Sequence, residues 1–318
     1  MRKIFFWAEA NAKIGYGHFV RTLALADMLK EHFDCYFVSP LLTEYQLQEV
    51  DKVCRYLSLP SNEERFDYFL SLLEGNEIVV LDNYFFTTNY QRKIKNKGCR
   101  LVCIDDMHDK HYVADVVINH GVTDVSLFSV EAYTQRCLGL QWALLREPFL
   151  QLVEIGQKEK GNWFISFGGS DPYNLTERLV RFVYHRSEVK CVSVVVGDVY
   201  QNLDSLRKYS KVIIYKNLSA NQMATLMQHC EYAILPSSSI CIEALSCACK
   251  VFAGYYVDNQ QEFYHYLSDN YYVYGLDNYL DSSFSMPEKF DQIVQFDRSI
   301  IHGIRERYIQ LFKKIDSI

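Results

Sequence analysis

Short apolar runs alternate with longer segments of mixed polarity along the first half of the chain. Five runs have the length and composition of buried strands: Ile4 to Trp7, Phe33 to Val38, Ile78 to Leu81, Leu101 to Ile104 and Val113 to Ile118. The segments between them carry apolar residues at helical spacing or polar residues typical of loops. Because strands and helices alternate, this half is predicted to be an α/β domain with a doubly wound parallel sheet.

The same alternation begins again after the charged segment Gln157 to Gly161, which is predicted to be a linker. Strands are predicted at Trp163 to Phe167, Cys191 to Val196, Val212 to Tyr215, Tyr232 to Leu235 and Val251 to Ala253. A chain of 318 residues suits about two domains. We therefore expect one domain over residues 1–150, a second over residues 160–296, and a C-terminal helix over residues 297–318.

The segment Lys13-Ile14-Gly15-Tyr16-Gly17-His18-Phe19-Val20-Arg21 follows the first predicted strand and opens a predicted helix. Gly15 and Gly17 would lower the steric cost of a tight turn and let a ligand approach the backbone. A helix N-terminus offers free N–H groups that suit phosphate, and a neutral histidine there can accept a proton. His18 and Arg21 are three positions apart, so one helical face can present both. The alternative is an ordinary glycine turn beside a surface histidine.

Polar residues stand directly after the predicted strands of the first half. They are Glu9, Asp82, Asp105, Asp106 and Asn119. The carboxyl ends of parallel strands line the crevice in which such sheets bind ligands, which makes Asp82 a candidate site residue. Asp105 or Asp106 is expected to cap a helix or to brace a loop.

Two strand-to-helix turns of the second half are rich in small residues. Gly168, Gly169 and Ser170 form one turn, and Ser237 to Ser239 form the other. Such turns can cradle phosphate with backbone N–H groups and hydroxyls. Glu243 lies about one helical turn after the serines, where its carboxylate can accept hydrogen bonds from the hydroxyls of a ribose. Its alternative role is to complement the helix dipole as an ordinary first-turn glutamate.

Composition and charge narrow the classes of function. The net charge of −6 makes nonspecific binding to nucleic acid unexpected. No apolar run is long enough to cross a membrane, and the apolar region after Met1-Arg2-Lys3 is too short for a signal peptide. The ten cysteines are scattered, and Cys247-Ala248-Cys249 lacks the spacing of a zinc site. We therefore expect a cytoplasmic protein with reduced thiols, without a metal and without stable membrane insertion.

Seven motifs follow one another in the order known from a bacterial hydrolase family. They are Ile14-Gly15-Tyr16-Gly17-His18-x-x-Arg21, Leu81-Asp82-Asn83-Tyr84, Ile104-Asp105-Asp106, Leu144-Leu145-Arg146-x-x-Phe149, Ser166-Phe167-Gly168-Gly169-Ser170-Asp171-Pro172, Ser238-Ser239 to Glu243, and Asn259-Gln260. With these motifs, which span about Met1 to Gln260, the chain resembles the UDP-2,4-diacetamido-2,4,6-trideoxy-β-L-altropyranose hydrolases of the pseudaminic acid pathway. Those enzymes are relatives of the spore-coat polysaccharide protein SpsG.

The resemblance implies the GT-B fold, in which two Rossmann-like parallel-sheet domains face a cleft. It implies an enzyme that removes UDP from a UDP-linked diacetamido-trideoxy sugar, with water as the acceptor and with no cofactor or metal. His18 aligns with the catalytic histidine of the family and would act as general base on the water. The implied substrate- and nucleotide-binding residues are Gly15, Gly17, Arg21, Asp82, Tyr84, Gly168, Gly169, Ser170, Ser238, Ser239, Glu243, Asn259 and Gln260.

Within this set, the C-terminal half would hold UDP. Ser238 and Ser239 would contact the diphosphate and Glu243 the ribose, while Asn259 and Gln260 would lie near the sugar or the diphosphate. The resemblance also has departures, of which the plainest is Trp7-Ala8-Glu9 in place of the family's Arg-x-Asp.

Two other functions remain open from the sequence. One is a GT-B glycosyltransferase of surface polysaccharide biosynthesis, and the other is a nucleotide-sugar-binding module without catalysis. Membrane-associated transferases of this fold carry exposed apolar and basic residues on the N-terminal domain. Here Phe85-Phe86 with Lys93, Lys95 and Lys97 is only a weak candidate for such a patch, and core packing beside a solvated helix face is the expected role.

Overall fold

The computed structural model describes residues 1–9, 16–151, 156–169, 171–197, 199–286 and 296–317. The chain divides into two compact units, Met1–Glu147 with Gly303–Ile318, and Pro148–His302. Of the segment predicted as a separate C-terminal helix over residues 297–318, residues 303–318 belong to the first unit and residues 297–302 to the second. The division after Glu147 lies three residues before the predicted end of the first domain.

The first unit is built on parallel strands. Its strands are β1 (Lys3–Ala8), β2 (Asp34–Ser39), β3 (Arg55–Ser58), β4 (Ile78–Asp82), β5 (Arg100–Ile104), β6 (His111–Tyr112), β7 (Val116–Asn119), β8 (Ser129–Val130) and β9 (Gln135–Leu138). Within the described residues, seven of them form one parallel sheet in the order β3-β2-β1-β4-β5-β7-β9, and β6 pairs with β8. The order reverses between β1 and β4, so the carboxyl ends of these two strands mark the point where doubly wound sheets bind ligands.

Helices cover both faces of this sheet. They are α1 (Gly17–Leu29), α2 (Glu44–Asp51), α3 (Glu64–Leu72), α4 (Thr88–Asn96) and, from the C-terminal segment, α11 (Ile304–Asp316), while the short helix α5 (Glu147–Leu150) lies at the boundary between the two units. Trp7 packs among the rings of Phe69, Phe86 and Tyr90 on one face. Because the central strands β1, β4 and β5 are covered on both faces, they form continuous apolar runs in the sequence.

The second unit repeats the plan. Its strands are β10 (Glu159–Ile165), β11 (Cys191–Val196), β12 (Val212–Lys216), β13 (Cys230–Pro236), β14 (Lys250–Tyr255) and β15 (Tyr274–Asn278). They form a parallel sheet in the order β12-β11-β10-β13-β14-β15. Its helices are α6 (Leu175–Tyr184), α7 (Leu203–Arg207), α8 (Ala220–His229), α9 (Ser239–Ser246) and α10 (Gln261–Asp269). Its order reverses between β10 and β13, where the predicted glycine and serine turns begin.

The α/β architecture and the parallel sheets confirm the predicted fold class, and most predicted strands agree with the structure to within one or two residues. The strands β3, β9 and β15 escaped prediction because they lie at sheet edges and their sequences contain no continuous apolar run. The predicted linker Gln157 to Gly161 is wrong over its second half, since Glu159 begins β10 and pairs with Cys230. The predicted strand Val113 to Ile118 starts too early, because β7 begins at Val116.

Candidate active site

The helix α1 brings the predicted histidine to the carboxyl edge of the first sheet. Gly15 lies outside the described residues, and Tyr16 precedes the helix without a side-chain cap. Gly17 is the exposed first residue of α1 and does not adopt a positive φ, so a tight turn is not the reason for glycine there. A Cβ at Gly17 would meet no atom within 4 Å. His18, the next residue, is only 4% exposed.

Asp82 is the centre of the site. It is the last residue of β4, pairs in register with Ala8 of β1, and has no solvent exposure. Its carboxylate accepts hydrogen bonds from Arg21 Nε at 2.7 Å, Arg21 Nη2 at 2.5 Å and Thr22 Oγ1 at 2.7 Å, and it contacts His18 Nδ1 at 2.6 Å. Burial opposes ionisation, but the Arg21 guanidinium and these hydrogen bonds hold the pKa of Asp82 well below its usual range. Asp82 is therefore a carboxylate.

This carboxylate determines which nitrogen of His18 carries the proton. An ionised carboxylate can only accept hydrogen bonds, so the contact between Nδ1 and Asp82 Oδ1 requires a proton on Nδ1. Arg21 Nη2 lies 3.0 Å from the same nitrogen and directs its own hydrogen bond to Asp82 Oδ1. The lone pair of the neutral imidazole is then on Nε2. The arrangement thus prepares Nε2 to accept a proton.

Asp106 and Tyr84 extend the cluster. Arg21 Nη1 donates to Asp106 Oδ1, and the Tyr84 hydroxyl donates to Asp106 Oδ2 at 2.9 Å. The Tyr84 ring meets the His18 ring edge-on, with 4.8 Å between the centroids. Partial burial and the nearby Asp106 carboxylate raise the pKa of Tyr84, so its phenol stays neutral. His18, Asn83, Tyr84, Asp106 and Lys110 line one small pocket.

His120 follows β7 and lies at the same edge of the sheet. Burial, together with the charge of Arg21, lowers the pKa of His120 to about 4, so the ring is neutral at neutral pH.

The sequence did not single out Asp106, His120 or Thr22 as parts of the site. The available signal was positional, because Asp106 and His120 follow strands that end at the edge to which Asp82 belongs.

Two other polar strand ends have structural roles. Asp105 accepts hydrogen bonds from the backbone N–H groups of Met107 and His108 and from the Tyr112 hydroxyl, so it braces the loop as expected. Asp106, the other residue considered for that role, holds Arg21 instead. Glu9 pairs with Arg65 at 3.2 Å.

The glycine turn of the second unit follows β10. Gly168 has φ +79°, which favours glycine, and Ser170 lies outside the described residues. A Cβ on Gly197 would lie 2.5 Å from Gly169 Cα, so these two glycines pack backbone against backbone. The Asp171 carboxylate accepts from the backbone N–H groups of Leu175 and Thr176 at 2.8 Å each. These N–H groups of the first turn of α6 are therefore already satisfied and are not free for a phosphate.

The serine turn after β13 leaves its helix end open. Ser238 precedes α9, and its side chain makes no capping hydrogen bond. The Ser237 hydroxyl is buried and has no hydrogen-bond partner among the described residues. Ser239 begins the helix and is half-buried. Of the two turns predicted to bind phosphate, the structure therefore favours the one at Ser237 to Ser239, where helix N–H groups and a hydroxyl remain available.

The remaining predicted residues of the second unit lie near the same sheet edge. Glu243 is in α9, and its residue is 2% exposed. Asn259 and Gln260 belong to a single 3₁₀ turn after β14. The side-chain oxygen of Gln260 accepts from the backbone N–H of Tyr256 at 3.1 Å, which gives Gln260 a structural role in the loop.

Three further expectations concern an apolar surface patch, metal sites and membrane-spanning helices. Phe86 is buried in the core and Phe85 packs against it, as expected for core residues. No group of histidine, cysteine, aspartate or glutamate side chains within the described ranges is arranged to hold a metal ion. In the part of the chain that the structure describes, no helix combines the length and apolar character needed to cross a membrane.

Comparison with known proteins supports the resemblance. The chain is 26% identical over 268 residues to the UDP-2,4-diacetamido-2,4,6-trideoxy-beta-L-altropyranose hydrolase of Campylobacter jejuni, a match that covers 81% of this chain and 93% of that enzyme. It is 25% identical over 285 residues to the uncharacterized protein MJ1062 of Methanocaldococcus jannaschii, covering 82% of this chain and 57% of that protein. No family model matches the chain. The resemblance predicted from the motifs is confirmed.

Solved structures show the fold. The chain superposes on MurG of Acinetobacter baumannii with a TM-score of 0.59 at 13% identity, covering 100% of this chain and 99% of MurG. It superposes on UGT89C1 of Arabidopsis thaliana with a TM-score of 0.63 at 11% identity, covering 99% and 98% of the two chains. These likenesses, with the two Rossmann-like sheets, confirm the predicted GT-B fold.

Proposed function

We propose that this protein is a UDP-sugar hydrolase that removes UDP from a UDP-2,4-diacetamido-2,4,6-trideoxyhexose in pseudaminic acid biosynthesis. The observation that carries the proposal is the pairing of His18 Nδ1 with the buried Asp82 carboxylate, which leaves Nε2 as a proton acceptor. The similarity to the Campylobacter jejuni hydrolase along nearly its whole length supports the choice of substrate.

The proposed reaction is a displacement by water at the anomeric carbon. The water oxygen forms a bond to that carbon while its proton passes to His18 Nε2. The bond from the anomeric carbon to the oxygen of UDP breaks, and its electron pair leaves with UDP. A positioned base of this kind accelerates attack by roughly 10²–10⁴-fold. Asp82 stabilises the imidazolium that forms, and Arg21 keeps Asp82 ionised.

The second unit would supply the nucleotide site. The open N-terminus of α9 and the hydroxyls of Ser237, Ser238 and Ser239 suit the diphosphate, since free helix N–H groups favour anions. Glu243 would accept hydrogen bonds from the ribose, and Asn259 with Gln260 would lie near the sugar or diphosphate. Gly168, Gly169 and Ser170 would line the site rather than hold phosphate, because Asp171 already satisfies backbone N–H groups at the start of α6.

The test is release of UDP from a panel of UDP-2,4-diacetamido-trideoxyhexoses in water, with EDTA present. Release by the wild type without any acceptor supports a hydrolase that needs no added metal. Release only when a sugar or lipid-linked acceptor is supplied would instead identify a glycosyltransferase of the same fold, in which His18 would deprotonate a hydroxyl. No release under either condition, with UDP still bound, would leave a binding module and refute the proposal.

The histidine variant tests the base. His18→Ala and His18→Phe are expected to abolish hydrolysis while UDP affinity, measured by calorimetry, stays unchanged. His32→Ala is the matched control, because His32 is an exposed histidine just beyond the far end of α1. Turnover by the His18 variants at the wild-type rate would contradict the assignment.

A further inference from the structure

Several ionisable side chains meet where α1 crosses the carboxyl ends of β4, β5 and β7. They are His18, Arg21, Asp82, Asp106 and His120. His18, Arg21, Asp82 and His120 are each less than a tenth exposed, and the Asp106 side chain is 18% exposed. In such a place a net charge is poorly solvated, so the total charge of the cluster governs whether one more proton is accepted.

The charges of this cluster can be assigned. Arg21 is a cation held by two carboxylates. Burial opposes ionisation of both acids, but Arg21 lowers the pKa of Asp82 and the pKa of Asp106 below their usual values. His120 is neutral at neutral pH. With a neutral His18, two negative charges and one positive charge leave one net negative charge.

The other titratable groups around His18 are Tyr84, Lys110 and Asp105, and each has hydrogen-bond or ion-pair partners of its own. The Tyr84 phenol is neutral and donates to Asp106. Lys110 is paired with Asp109 at 3.2 Å and donates to the Tyr84 carbonyl. Asp105 accepts from Tyr112 and from the loop that follows it. The charge balance at His18 therefore rests on Arg21 and its two carboxylates.

We propose that Asp106 is a positioning residue whose charge offsets Arg21, so that the cluster keeps one negative charge and can take up the proton that His18 accepts from water. This inference rests on the proposed role of His18 as base. With Asp106 intact, protonation of His18 brings the cluster to neutrality. Without it, Arg21 would already neutralise Asp82, and the imidazolium would be an unmatched buried cation.

The variant Asp106→Asn tests this, because an asparagine keeps the size and an acceptor oxygen but removes the charge. We expect the acid limb of the pH profile of kcat/KM to move to lower pH by about one unit, with a lower plateau in kcat, since loss of a nearby opposite charge shifts a titration by that order. Asp106→Glu restores the charge and is expected to return the limb toward its wild-type position. A limb that stays in place in Asp106→Asn would overturn the proposal, because loss of packing alone lowers activity at every pH.

Asp115→Asn is the matched control. The Asp115 side chain is 15% exposed, pairs with Lys95 at 2.7 Å and accepts from the backbone N–H of Leu101, but it lies at the amino end of β7. Its replacement is expected to leave the acid limb where it is in the wild type. An equal movement of the limb in Asp115→Asn and Asp106→Asn would refute a local effect.

A second variant guards against failure of Asp106→Asn to fold. Arg21→Gln combined with Asp106→Asn removes one charge of each sign, so the cluster keeps one negative charge on Asp82, whose carboxylate still contacts His18 and accepts a hydrogen bond from Thr22. Its acid limb, or the titration of His18 followed by NMR on ¹⁵N-histidine-labelled protein, is expected to lie close to that of the wild type. If the midpoint of either measurement lies a full pH unit below that of the wild type in the double variant, the charge argument is refuted.

The NMR titration needs no substrate, so it separates the two proposals. Absence of hydrolysis by the wild type would refute the proposed function. A His18 titration that does not respond to Asp106→Asn would refute the role of Asp106, whatever the enzyme's substrate.

Discussion

Replacing Asp82 by asparagine tests the site at its centre. The carboxylate receives hydrogen bonds from Arg21 and Thr22 and fixes the proton on His18 Nδ1. An asparagine would turn one acceptor into an N–H donor. That donor favours a lone pair on His18 Nδ1, which moves the ring proton to Nε2 and removes the base.

The expected loss of activity follows from the proposed role of His18 as general base. General-base catalysis contributes roughly 10²–10⁴-fold, so kcat for Asp82→Asn should fall by that factor, which corresponds to about 3–5 kcal/mol of transition-state stabilisation. Stability should fall as well, because Arg21 loses a buried carboxylate partner, and breaking such a pair destabilises by about 3–5 kcal/mol. The assays are single-turnover UDP release and urea denaturation.

Thr22→Val separates the two effects. Thr22 is fully buried and donates one hydrogen bond to Oδ2 of the same carboxylate, whereas His18 contacts Oδ1. We expect a loss of about 1 kcal/mol in the free energy of unfolding and a kcat within a few-fold of wild type. The reasoning is refuted if folded Asp82→Asn keeps the wild-type kcat, or if Thr22→Val loses as much activity as Asp82→Asn.

Three further predictions concern other parts of the chain. Glu243→Ala should weaken UDP binding in calorimetry, because it removes the carboxylate expected at the ribose, and an unchanged affinity would exclude Glu243 from that site. Gly197→Ala should lower the free energy of unfolding by about 1–3 kcal/mol in urea denaturation, since its Cβ would lie 2.5 Å from Gly169 Cα; a stability equal to wild type would contradict that packing. The pKa of His120 is about 4 in the fold against 6.5 for an unperturbed histidine, so the unfolded state binds the proton first as the pH falls. Stability should therefore drop by about 2 kcal/mol from pH 7 to pH 5, and His120→Gln should flatten that dependence in denaturation measured at both pH values; an equal slope in the variant would contradict burial of a neutral ring.

The strands that the sequence predicted best are those buried on both faces. Ile4 to Trp7 and Ile78 to Leu81 are continuous apolar runs, and both lie in the middle of the first sheet. The edge strand β3 has the sequence Arg-Tyr-Leu-Ser and contains no buried residue, because one of its sides is not paired. A continuous apolar run therefore marks the strands that are buried on both faces and not those at the edge of the sheet.

The features of the candidate site also divide into those that the sequence determined and those that only the tertiary structure decided. The sequence alone determined that His18 and Arg21 share a helical face, because their spacing of three positions decides it. It also determined the order of the motifs that carry the resemblance, and the position of Asp82 at a strand end. These are local properties, set by the spacing of neighbouring residues along the chain.

Only the tertiary structure decided which of the polar strand ends contact His18 and Arg21. Arg21 and Asp106 are 85 positions apart in the chain, and Arg21 and Asp82 are 61 positions apart. Nothing in the residues themselves distinguishes Asp106, which holds Arg21, from Asp105, which braces a loop. Both aspartates follow β5, which ends at Ile104, so the path of the loop beyond the strand placed Asp106 against Arg21 and Asp105 against His108 and Tyr112.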